Sequence, residues 1–418
     1  MKLNPFLEKP KKLESTIMSM KMLSPKTYDK NEVDPYTRVR CILMNGTEYE
    51  AVWSKHHFNR HVGDNDARRA VALIRRSEQL QQKLIASLKP ADENVLQTTI
   101  GYEQLAVDLT ATLAQRQTDK IVKDALDFAL LEDFDHLYRY ANLLETDMGE
   151  HAERYVGSYT EIMPGRPTVA HPRHPYDSIK KTISNKTSSP ISKCDVAIIT
   201  AAEQQTMNYY MNLGAFYKHK KGREIYNEIA MVEEQHVTQY GSLMDTSATF
   251  FEDLLMHEYV ECYLYYSMLN DETDKNIKTI WEMLFEQELA HLHEAVRLLK
   301  KYEKKDWQQV IPGGEFPELL KFKPQKDYIR SILGKTVENT ANREGYTNVN
   351  KLTPKADFFV YQNKFVKNVE AMPSHKVIKD HITKFGQDYR VQDKDHPVKA
   401  LKDRKEDNTT LGRTQKST

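Results

Sequence analysis

The chain has no cysteine framework. Its three cysteines, Cys41, Cys194 and Cys262, stand far apart with no Cys-x-x-Cys pair, which argues against a disulfide scaffold, a zinc ribbon or an iron–sulfur cluster and fits a reducing, cytoplasmic setting. It has no charge excess either: Lys+Arg and Asp+Glu each number 60. Bulk charge therefore suggests neither nucleic acid nor an anionic membrane as a partner. No run reaches the roughly 18 apolar residues of a membrane span, and the lysine-rich start, broken by Pro5, Pro10 and Pro25, lacks the apolar stretch of a signal peptide. These absences predict a soluble protein that is not exported, and 418 residues are enough for a core that excludes water from a buried site.

Apolar spacing predicts a mainly α chain. An N-terminal extension, 1–65, holds one hairpin signal: Asn45-Gly46 between Cys41-Ile42-Leu43-Met44 and Tyr49-Glu50-Ala51-Val52-Trp53, read as a small β-hairpin over 39–54. A helical domain, 66–302, follows. It opens with a helix over 66–88 and continues as three helical hairpins, 92–145, 192–244 and 249–302. The segment 147–190, rich in Pro, Gly, Ser and His, reads as a long irregular connection, whereas 245–248 is a short one. The C-terminal extension, 303–418, is expected to hold a short helix near 327–333, and its last 25 residues, mostly charged or hydroxylic, to be disordered.

The chemistry lies in a spacing. Glu103, Asp133 and His136; Glu203, Glu233 and His236; and Glu258, Glu288 and His291 each place a carboxylate 30 residues after a glutamate and a histidine three further on. In an antiparallel hairpin, residues equally far from the turn sit at one level, so the three side chains of each set can meet. On each second helix they interrupt an apolar row, as in Leu126, Ala129, Asp133, His136, Tyr140. A buried carboxylate without a partner costs several kcal/mol. A lone Glu-x-x-His usually means a solvated helix face; three copies in one register point to metal. The bland alternative is a degenerate repeat held by buried salt bridges, with Arg139 and Arg297 as candidate cations. Tyr140, Tyr210, Tyr240 and Tyr265 lie near the candidates as core fillers or electron relays. His56, His57 and His61, with His171 and His174, read as polar loop residues rather than accessory sites.

Two hairpins bring two single glutamates and two Glu-x-x-His pairs, the ligand set of a dimetal carboxylate bundle. On these residues the region 92–302 resembles the ferritin-like superfamily of ferritins, rubrerythrins, manganese catalases and di-iron oxygenases. The resemblance implies a ferritin-like four-helix bundle with an additional third hairpin. It implies two iron or manganese ions per site, with Glu103, His136, Glu203 and His236 terminal and Asp133 and Glu233 bridging. Asp133 departs from the usual glutamate, and Glu132 beside it is a fallback ligand. The third hairpin, with Glu258, Glu288 and His291, is surplus to one bundle. It is expected to pair across a two-fold axis with another subunit, to pair with the second hairpin, or to keep the pattern while binding little. The long 147–190 segment favours the first two hairpins as partners, being the crossover that parallel helices need.

The expected function is an oxidoreductase acting on dioxygen or peroxide, rubrerythrin-like but drawing electrons from a separate donor protein. An iron-storage protein with ferroxidase activity and a metal-free helical scaffold are the alternatives. Metal ions and a homo-oligomeric partner are expected; nucleic acid and membrane are not.

Overall fold

In the computed structural model, which describes residues 2–409 and 411, the periodic segments are helices. These are α1 (Pro35–His61), α2 (Asn65–Ala86), α3 (Val95–Arg116), α4 (Lys120–Met148), the single-turn α5 (Glu153–Val156), α6 (Pro190–Phe216), α7 (Lys220–Gly241), α8 (Phe250–Asp271) and α9 (Lys275–Glu303). After them come α10 (Lys326–Thr336), the antiparallel ribbon β1 (Asn339–Asn342) and β2 (Gly345–Asn348), α11 (Asp357–Phe365) and α12 (Pro373–Phe385). Caps fix the ends. Asp34, Asp64, Asp119 and Asp274 each accept backbone N–H bonds at the start of α1, α2, α4 and α9. Asn94 with Gln97, and Thr249 with Glu252, form capping boxes on α3 and α8. Among the described residues no helix is long and apolar enough to cross a membrane.

The chain divides into two compact units. The first comprises Met1–Glu93, Thr182–Gln205 and Met244–Phe322. Here α1 packs antiparallel on α2, α8 on α9, and the two hairpins face each other through α1 with α8 and α2 with α9. Arg40 ties them at one end, with its guanidinium 3.0 Å from Glu272 and 2.7 Å from Asp271. The second unit comprises Asn94–Lys181, Thr206–Leu243 and Lys323–Thr418. In it α3 and α4 form the main hairpin, α7 lies on α4, and α10 and α12 cover the outer face of α4. Helix α6 starts in the first unit and ends in the second.

Several expectations need correction. Residues 39–54 are not a β-hairpin; they lie inside the 27-residue α1. Gly46 serves close packing instead of a turn, because a Cβ there would come within 2.7 Å of the Gln205 side chain on α6, and Asn45 hydrogen-bonds the same glutamine. Residues 1–65 are thus no extension: they form half of the first unit together with α2. The carboxylate face of the third hairpin, α8 and α9, is covered by α1 and α2 of the same chain. The 66–302 domain is replaced by two discontinuous units, and 303–418 is divided between them. Its expected short helix is α10. Of the final 25 residues, His396, Leu401 and Arg404 are buried and Asp407 lies 2.6 Å from Arg139. Residues 410 and 412–418, also expected to be disordered, lie outside the described residues.

Candidate metal centres

In the second unit the hairpin α3–α4 brings Glu103, Asp133 and His136 to one level, and α7 brings Glu233 and His236 to the same level; all are buried. Ligand atoms of Glu103, His136 and Glu233 lie within 4.8 Å of one another, and those of Asp133, Glu233 and His236 do likewise. Glu233 belongs to both groups. Its Oε1 is 2.9 Å from His136 Nδ1 and its Oε2 is 3.1 Å from His236 Nδ1. His236 Nδ1 is also 3.2 Å from Asp133 Oδ1. Yet neither nitrogen of His136 and neither oxygen of Asp133 makes a well-directed hydrogen bond with a described residue. Short approaches with poor alignment are what side chains converging on a common point produce.

Charge is arranged just as deliberately. Burial pushes the Asp133 carboxyl up. At Glu233 burial acts the same way but is outweighed by the His136 and His236 imidazoles, which hold its carboxyl well below the usual range. Tyr210 on α6 donates to Glu103 over 2.5 Å, and its ring packs against those of Tyr140 and Tyr226. Glu203 is buried on α6. It lies two turns before Tyr210 on the same helical face, shortly before the helix enters the second unit.

The irregular 147–190 segment does more than connect. Glu132 is not among the converging ligands. Its carboxylate accepts from His236 Nε2 at 2.8 Å, from Arg166 Nη1 at 2.9 Å and from Arg173 Nη1 at 2.9 Å, all with side chains essentially out of solvent. Burial pushes Glu132 up, but Arg173, the His236 hydrogen bond and Arg166 prevail and hold it well below the usual carboxylate range. A carboxylate on the outer nitrogen of an imidazole fixes the tautomer, so that the Nδ1 lone pair faces inward. Gly165 lets the segment approach, since a Cβ there would meet the Leu131 carbonyl at 2.4 Å. His171 is no polar loop residue: it is buried against the His136 ring at 5.2 Å, and burial pushes its imidazole well down. His174 is half-buried beside Tyr176, while His56, His57 and His61 lie on exposed turns of α1. Arg139 pairs with Asp135 and Asp407, and the exposed Arg297 with Glu294, so neither neutralises a candidate ligand.

The first unit repeats the arrangement with residues the hairpin reading hid. Glu258, Glu288 and His291 come together with Glu78 of α2, their ligand atoms within 4.8 Å of one another. Glu78 lies 30 residues after Glu48, and Gln81 three after that, so α1–α2 is a fourth copy of the spacing with glutamine in place of histidine. The contacts correspond. Gln81 Nε2 donates to Glu288 Oε1 at 2.7 Å and His291 Nδ1 is 3.0 Å from Glu288 Oε2. Tyr265 donates to Glu48 as Tyr210 does to Glu103. A lysine lies at the heart of this cluster: Lys55 Nζ is 2.5 Å from Glu78 Oε1 and 3.0 Å from Glu258 Oε1. Burial pushes Glu48, Glu78 and Glu261 well above the usual carboxylate range.

No family model, no curated protein and no solved structure matches this chain.

Proposed function

We propose that the second unit is a ferritin-like dimetal carboxylate centre and that the protein is an oxidoreductase acting on dioxygen or peroxide. Its ligands are Glu103, Asp133, His136, Glu233 and His236, with Glu203 the further carboxylate assigned by the repeat. The observation that carries this reading is Glu233, whose two oxygens each face a different histidine, as a carboxylate bridging two ions would. Four carboxylates also match the charge of two divalent cations, which removes the cost of burying them. Iron or manganese bound there supplies cycling between oxidation states, for which a hard set of oxygen ligands with imidazole is suited.

The protein's own groups position and insulate. Glu132 fixes the His236 ring, Tyr210 orients Glu103, and the Arg166 and Arg173 guanidiniums pair with Glu132 and hold it ionised beside the ligand set. With no cysteine cluster in the chain, net reduction of dioxygen or peroxide would draw its electrons from a separate donor. Stopped-flow mixing of the Fe(II)-loaded protein with peroxide tests the reading. Repeated turnover with an added reductant supports an oxidoreductase. Stoichiometric oxidation with retained ferric mineral would replace it with iron storage, and no uptake of iron or manganese would leave a metal-free scaffold.

A further inference from the structure

We propose that the first unit holds one divalent transition-metal ion, not two, on Glu78, Glu258, Glu288 and His291, and that the Lys55 ammonium takes the place of the second. The two units can be compared position by position. His136, which faces Oε1 of the shared glutamate in the second unit, is replaced by Gln81, whose amide N–H donates to Glu288. A donor in place of an imidazole lone pair removes the nitrogen ligand of one ion. The second replacement lies seven residues beyond the single glutamate of the first helix. After Glu103 that residue is Thr110, a buried neutral hydroxyl; after Glu48 it is Lys55, a buried ammonium.

The lysine engages only part of the cluster. It holds Oε1 of Glu78 and of Glu258. None of the four oxygens of Glu78 and Glu258 has a well-directed hydrogen-bond donor among the described residues, the two Oε2 atoms lie away from the short lysine approaches, and His291 Nδ1 is 4.0 Å from Glu258 Oε2. Those oxygens, with Glu288 Oε2 and the imidazole, form one oxygen-rich, nitrogen-containing site fully shielded from solvent. Of the other acids, Glu48 accepts from the Tyr265 hydroxyl, and Glu261 Oε2 lies 3.3 Å from His257 Nε2 and 3.8 Å from Lys55 Nζ. This centre is independent of the one in the second unit.

Equilibrium dialysis of the full chain against Mn(II), read by atomic absorption, tests it. About three ions per chain are expected in the wild type, about one in the His136→Ala/His236→Ala variant and about two in His291→Ala. Lys55→Thr with Gln81→His, which installs the second unit's residues, should raise the total to about four. Glu258→Gln, which keeps side-chain volume, repeats the His291→Ala measurement should that variant fail to fold. Equal metal content in the wild type and in both first-unit variants would overturn the proposal, as would about four ions in the wild type. One ion in the wild type, kept in the double-histidine variant and lost in His291→Ala, would uphold it while refuting the dimetal reading of the second unit.

Discussion

Glu132→Gln tests how far the second unit depends on a charge that touches no proposed ligand atom. The substitution keeps volume and removes the carboxylate that accepts from Arg166 at 2.9 Å, Arg173 at 2.9 Å and His236 at 2.8 Å. An amide offers one oxygen where the carboxylate offers two, so at least one guanidinium or the imidazole loses its acceptor, and two buried guanidiniums lose their counter-charge. Breaking a buried ion pair from one side costs about 3–5 kcal/mol, and the unfolding midpoint of the metal-free protein in guanidinium chloride should fall accordingly. The His236 ring is freed as well. Loss of such an outer partner typically weakens metal binding about 10–100-fold, or about 1.4–2.8 kcal/mol. Competition titration with a chromophoric chelator measures that loss. An unchanged affinity in a folded Glu132→Gln protein would refute the role given to Glu132.

Gly165→Ala should destabilise the second unit by about 1–3 kcal/mol or more, because its Cβ would strike backbone atoms of Leu131 and Asp135; urea unfolding measures this. His396 is held neutral, with Nε2 donating to the Pro164 carbonyl at 2.8 Å and Nδ1 accepting from the Val398 N–H at 2.9 Å, and burial pushes its imidazole down to about 4. The unfolded chain takes up that proton first. Stability should therefore hold above about pH 6.5 and fall as the pH drops towards 4, by on the order of 3 kcal/mol, and His396→Gln should flatten that part of the profile in pH-dependent denaturation. Tyr210→Phe removes the donor to Glu103 while keeping the ring. It should cost roughly 1–3 kcal/mol, read by thermal unfolding, and leave the metal stoichiometry unchanged.

The helices were legible because their apolar rows repeat at helical spacing over many turns, and observed ends differ from the expected ones by only a few residues, as at the first expected hairpin, which runs from Val95 to Met148 against 92–145. The signals that misled were local. Asn45-Gly46 favours a tight turn in isolation, but the long α1 helix prevails, and the glycine is explained by the approach of Gln205. That one reading hid Glu48, Glu78 and Gln81, although their 30- and 33-residue spacing stands in the sequence; a search allowing glutamine for histidine would have found it. Arg166, Arg173 and His171 left no such trace. They sit in a segment without periodicity, and their value comes from folding back on α4, a long-range event that only the tertiary structure displays.

The central claim is a pair of ions sharing Glu233, and X-ray absorption at the iron edge tests it most directly. In the His291→Ala variant, whose first unit is emptied, the iron-loaded protein should give a metal–metal vector at about 3.5–4 Å, and Glu233→Ala should abolish it. Iron bound at full stoichiometry with no metal–metal scattering, or the same vector surviving in Glu233→Ala, would contradict the account.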